Sequence, residues 1–109
     1  MPWLLREGEV LATLEVAESF VERVRGLLGR DGIDGALLLR PARSVHTIGM
    51  RFPIDVAFCD AHLVVITTRC LARHRVCLPR VRARSVVEAE AGAFERWHLR
   101  IGDQLEIKG

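Results

Sequence analysis

Pro53 lies inside the stretch 45–60, VHTIGMRFPIDVAFCD, and constrains the chain more than any other single residue. A proline ring holds its own φ at about −65° and pushes the preceding residue, here Phe52, toward extended geometry. A polar first half therefore meets an apolar, strand-like second half at a stiff corner. His46, Thr47, Met50, Arg51 and Asp55 all fall within it. With 109 residues the chain is expected to form one domain, 1–109, burying roughly 60 to 70% of its unfolded surface.

On either side of the corner the apolar pattern is mostly that of strands. Residues 1–9 are read as a tail or an edge strand. Val10, Ala12, Leu14 and Val16 alternate with Leu11, Thr13 and Glu15, the period of two that buries one face. Ser19 followed by Glu22 fits a capping box, and Phe20, Val21, Val24, Leu27 and Leu28 then recur at helical spacing. The spacing predicts a helix of about three turns, ended by Gly29. Residues 31–35 are turn chemistry, and 36–40 form an apolar run that Pro41 ends.

Past Pro53, Ile54, Val56 and Phe58 alternate with Asp55, Ala57 and Cys59, and residues 60–62 are short enough for a hairpin turn into a strand over 63–68. Residues 71–84 carry no sustained period and are read as a long, Arg-rich loop. Alternation returns over 85–90, where Glu88 stands among apolar neighbours and needs a donor partner. A short helix over 92–99, a turn at Gly102 and Asp103, and a closing strand over 104–108 complete the order. About six strands, one helix in the N-terminal half and a second short one predict an α+β, mainly β fold, a small mixed β-barrel or rolled sheet. A doubly wound fold requires regular helices between its strands.

The formal net charge of +2 does not by itself imply nucleic acid, but its distribution is uneven. Arg69, Arg73, Arg75, Arg80, Arg82 and Arg84 occur in a stretch without an acid, which can attract phosphate or an acidic partner. Because Lys108 is the only lysine, the arginines also fit a solvated loop written in the available basic residue. Cys59, Cys70 and Cys77 cannot all pair within one chain, and no apolar run is long enough for a signal core or a membrane span. These features predict a cytoplasmic protein with free thiols and no membrane contact.

His46 with Asp55 is a conceivable base and orienter, but adjacent residues of an extended chain point to opposite faces, so His46 is poorly placed to activate Thr47. Hydrogen bonds that pin the corner, or contacts to a polar ligand, suit His46, Thr47 and Asp55 better. His74 and Cys77 are one step at chelating distance without a second, so no metal is predicted. Gly26, Gly29, Gly32 and Gly35 lack the Lys and Ser/Thr of a phosphate loop, and no cofactor is predicted.

Four blocks together carry a resemblance. They are Arg25-Gly26-Leu27-Leu28-Gly29-Arg30, Gly35-Ala36-Leu37-Leu38-Leu39, the run from His46 through Pro53 to Phe58, and Val87-Glu88-Ala89-Glu90-Ala91-Gly92 with Gly102-Asp103. In order and spacing they resemble the uncharacterised prokaryotic family known as domain of unknown function 192, over residues 14–108. The resemblance implies a small, largely β fold and no established activity, cofactor or substrate. Many members carry an export signal that is not seen here. The chain also has His62 where the family commonly has Gly, and Ile48-Gly49-Met50-Arg51 where many members have an aromatic-Met-Lys-Asn run.

These readings lead to a binding or accessory domain whose polar cleft is lined by Arg25, Arg30, His46, Thr47, Met50, Asp55 and Glu88 and takes a small polar ligand or a protein partner. One alternative is a hydrolase or transferase using His46 with Asp55 or Glu88. The other is binding of an acidic partner or nucleic acid through residues 69–84, nucleic acid being the less expected.

Overall fold

The computed structural model describes residues 2–109. Its strands are β1 (Trp3–Arg6), β2 (Glu9–Ala17), β3 (Ala36–Leu39), β4 (Val45–His46), β5 (Ile54–Cys59), β6 (Val65–Leu71), β7 (Val76–Cys77), β8 (Ser85–Glu90) and β9 (Leu105–Lys108). Helix α1 spans Phe20–Arg25 and α2 spans Ala93–Arg96. Seven strands form one mixed sheet in the order β6-β5-β8-β3-β2-β1-β9, and β4 pairs with β7 in a separate ribbon. All neighbours in the large sheet are antiparallel except β2 and β3, which the α1 crossover joins, as a parallel pair requires.

The sheet is rolled. Leu4, Leu14, Leu38, Ala57, Val65, Val87 and Leu105, one from each of its seven strands, share a single apolar cluster with Ala93 and Phe94 of α2. The two edge strands meet at one end through a bridge between Val64 and Gln104, supported by Val65 N–H donating to the Asp103 carbonyl at 2.8 Å and Leu105 N–H to the Leu63 carbonyl at 2.9 Å. The roll is thus clasped at one point and is not a barrel closed along its length. Outside it, Leu37, Leu39, Val56, Phe58 and Val86 form a second cluster, covered by Leu27, Met50, Val45 and Cys77. Every residue of β5 is buried, as expected of a central strand covered on both faces.

Several sequence expectations are revised. The capping box is present, Ser19 accepting from the Glu22 N–H and Glu22 from the Ser19 N–H. The helix, however, is six residues long, ends at Gly26, not Gly29, and buries none of its side chains. Gly26 takes a positive φ of 49° and donates to the Glu22 carbonyl, so the chain leaves the helical path early. Leu27 turns into the outer cluster, while Phe20, Val21 and Val24 remain exposed. Residues 1–9 contain a strand hydrogen-bonded on both sides, to β2 and to β9, and the edge falls to β9. Among the described residues nine strands replace about six, because residues 1–9, open between tail and edge strand, lie outside that count and the two-residue strands β4 and β7 are too short to show a period. The loop expected over 71–84 accordingly contains β7.

One turn depends on glycine for two reasons. Gly35 has φ +90°, and a Cβ there would stand 2.6 Å from the Thr13 carbonyl oxygen and against Thr13 Oγ1. Backbone sterics and close approach both require glycine at the entry to β3.

Candidate functional site

The residue that most needs explanation is Glu88. It is the fourth residue of β8, and the register sets it between Leu37 of β3 and Val56 of β5 on the outer face. Its side chain is 3% exposed, and Oε1 is buried with no hydrogen-bond partner. Burial pushes the carboxyl up to about 7, since desolvation disfavours the charged form. Above it lies Gly26, whose missing Cβ would sit 3.7 Å from Oε1. The segment that brings Gly26 over the sheet also meets the corner, where a Cβ on Gly49 would stand 3.5 Å from Leu28 Cδ2. Two connections, one after α1 and one around residues 47–50, thus cover the face that contains Glu88.

The corner is held mainly by Thr47. Fully buried, it donates from Oγ1 to the Ala72 carbonyl at 2.6 Å and accepts from the Arg75 N–H at 2.8 Å. Its own N–H donates to the Arg75 carbonyl at 2.7 Å, and its carbonyl accepts from His74 and Met50. His74 Nδ1 accepts from the Gly49 N–H at 3.1 Å. This network ties the corner to residues 72–75 and frames the β4–β7 ribbon. Met50 is buried in the outer cluster, whereas His46 is exposed on β4 opposite Val76.

Asp55 serves the other side of the sheet. In the β5–β8 register it pairs with Ala89, and Val56 pairs with Glu88, so Asp55 and Glu88 point to opposite faces. Asp55 Oδ2 accepts from the N–H groups of Gly92 at 3.0 Å and Phe94 at 3.1 Å, satisfying amides at the start of α2 that have no intrahelical partner. Arg30 makes a two-pronged pair with Glu15 at 2.8 and 3.0 Å, which holds the Glu15 carboxyl below its usual range. Arg25 is exposed at the end of α1.

The structure therefore gathers Glu88, Met50 and Thr47 under or within the two covering connections, with Arg25 and His46 exposed on segments that flank them. Asp55 and Arg30 are engaged elsewhere. No hydrogen bond joins His46 to Asp55 or Glu88 among the described residues. In the sequence Gly26 belongs to a glycine series and to the first of the four blocks, and neither singles it out as a site residue. What marks it is its place over Glu88, which depends on the helix ending there.

Among the described residues no group of three His, Cys, Asp or Glu side chains converges as a metal site would require. No helix among them is long and apolar enough to cross a membrane.

Comparison with known proteins bears on the whole of this framework. The model of the uncharacterised ACR family, DUF192, matches residues 4–107. The chain belongs to the DUF192 family. A UPF0127 protein of Pyrococcus horikoshii is 30% identical over 105 residues, covering 92% of this chain and 88% of the relative. Another, from Pyrococcus furiosus, is 29% identical over 103 residues, covering 90% and 89%. Two crystal structures share the fold. One, of a protein of unknown function from Novosphingobium aromaticivorans, has a TM-score of 0.80 at 18% identity and covers 96% of this chain and 82% of its own. The other, a Sinorhizobium meliloti protein whose name proposes a transcription regulator, has a TM-score of 0.82 at 21% identity and covers 96% and 90%. DUF192 is a family of unknown function, and at these identities the two structures establish the rolled mixed sheet alone.

Proposed function

We propose that this DUF192 chain is a small, single-domain binding protein in which Glu88 is the ligand-facing acid. The observation that carries the reading is a carboxyl oxygen buried without a partner on a central strand, covered by the backbone of Gly26 with no side chain between them. A native fold satisfies nearly all its buried polar atoms, so an unused acceptor there suits a ligand that brings its own donor. The best match is a polar ligand with an amine, guanidine or amide N–H. Arg25 and His46 would act as rim groups, with Thr47 and Met50 shaping the corner and Asp55 and Arg30 serving the fold. The reading takes the protein as cytoplasmic, which three unpaired cysteines support.

The test is a thermal-shift screen of amines, guanidines and amides against the wild type and Glu88→Gln. A ligand bound only by the folded state raises Tm by mass action. A shift in the wild type that Glu88→Gln abolishes supports the reading. Equal shifts in both proteins, or none in either, would make Glu88 a feature of the fold alone.

A further inference from the structure

A second feature lies away from Glu88 and does not rest on that reading. Between the end of β6 and the segment that carries β7 runs a groove of about 520 Å³, within the size range of small-molecule sites. Arg69, Arg75 and Arg80 line it, no acidic residue does, and none of the three is in an ion pair among the described residues. By contrast Arg6, Arg30, Arg40, Arg51 and Arg96 all have carboxylate partners. Three cations that the fold leaves without a carboxylate partner thus line one concave surface.

Arg80 is held in place. Its N–H donates to the Arg43 carbonyl and its carbonyl accepts from the Ala83 N–H, while its guanidinium carbon lies 5.5 Å from the centroid of the Phe58 ring, which is fully buried. The Nε of Arg80 is itself buried with no acceptor, a donor on a permanent cation that the fold leaves unused. Leu71, Val76 and Leu78 supply an apolar wall, and Val76 and Leu78 are exposed. Guanidinium forks match the oxygens of phosphate in pairs, and three cations suit a dianion better than a single negative charge.

We infer that this groove binds a phosphate monoester with an apolar body, the phosphate meeting Arg69, Arg75 and Arg80 and the body lying against Leu71, Val76 and Leu78.

Calorimetric titration of the full chain with phenyl phosphate, inorganic phosphate, benzyl alcohol and a short single-stranded oligonucleotide tests the assignment. Arg69→Gln and Arg75→Gln are made at exposed positions, so circular dichroism should show an intact fold even if Arg80→Gln disturbs the packing on Phe58. Phenyl phosphate is expected to bind saturably and more tightly than inorganic phosphate or benzyl alcohol, and each Arg→Gln change to weaken it about tenfold or more, the scale of a hydrogen bond to a charged group. Unchanged affinity in both exposed variants overturns the assignment, as does equal binding of inorganic phosphate or benzyl alcohol. Binding of the oligonucleotide alone, growing with its length and falling steeply with salt, also overturns it by replacing the groove with an extended basic surface.

Discussion

Replacing Glu88 with Gln removes a proton equilibrium from the middle of the sheet and leaves the side chain's shape nearly unchanged. The wild-type carboxyl is pushed up to about 7 in the folded protein from an ordinary 4.5. Below 4.5 it is protonated in both folded and unfolded chains, and stability is full. As pH rises from there to 7 the unfolded chain loses the proton while the folded chain keeps it, so stability falls and then levels off above 7. At ~1.4 kcal/mol per pH unit, the whole loss is about 3 kcal/mol, most of which falls between pH 5 and pH 8. Glu15, Glu22 and Asp60, all held below their usual range, titrate beneath this window. Urea unfolding of both proteins at several pH values measures the effect, with unchanged m reporting an unchanged transition. Glu88→Gln should come within about 1 kcal/mol of the wild type at pH 5 and exceed it by about 3 kcal/mol at pH 8. A wild-type curve that is flat over this range, or a slope that persists in Glu88→Gln, would refute the argument from burial.

Thr47→Val keeps the volume of the side chain but leaves the Arg75 N–H and the Ala72 carbonyl without their buried partner; urea unfolding should show a loss of about 2 to 4 kcal/mol. Gly35→Ala should destabilise more than Gly102→Ala, because both glycines have positive φ but only at Gly35 does the new Cβ meet Thr13; the backbone strain common to both is worth about 1 to 3 kcal/mol. Cys59 is fully buried and its thiol is pushed up to about 12, chiefly by burial. A thiol reagent at mildly alkaline pH should therefore label exposed Cys70 in the native protein and reach Cys59 only after unfolding, as peptide mapping of the labelled chain can show.

The parts of the fold legible in the sequence are those whose signal is local. Strand β5 carries apolar residues at every position but Asp55, β8 shows alternation around Val87 and Ala89, and Ser19 with Glu22 marks a helix start by side-chain chemistry alone. The length of that helix was not legible, because Gly26 and Gly29 both suit a helix end and only the packing of Leu27 against the sheet selects the first. The parity of Asp55 and Glu88 within their strands is plain, but which faces they share depends on pairing Asp55 with Ala89, a register that no run of residues displays. Thr47 was readable as a residue that pins the corner. Its partners at positions 72 and 75 lie some 25 residues away, in a stretch whose two-residue strand leaves no periodic trace.

The place of β1 orders events during synthesis. β1, the first described strand, lies between β2 and β9, and in the register Trp3 stands opposite Lys108. β1 can form a hairpin with β2 as soon as both exist, but its other edge stays open until the last described strand is made. Contacts so distant along the chain form slowly, and an unpaired edge invites pairing with other chains. While the chain is being made, its exposure to aggregation is governed by how soon residues 105–108 arrive.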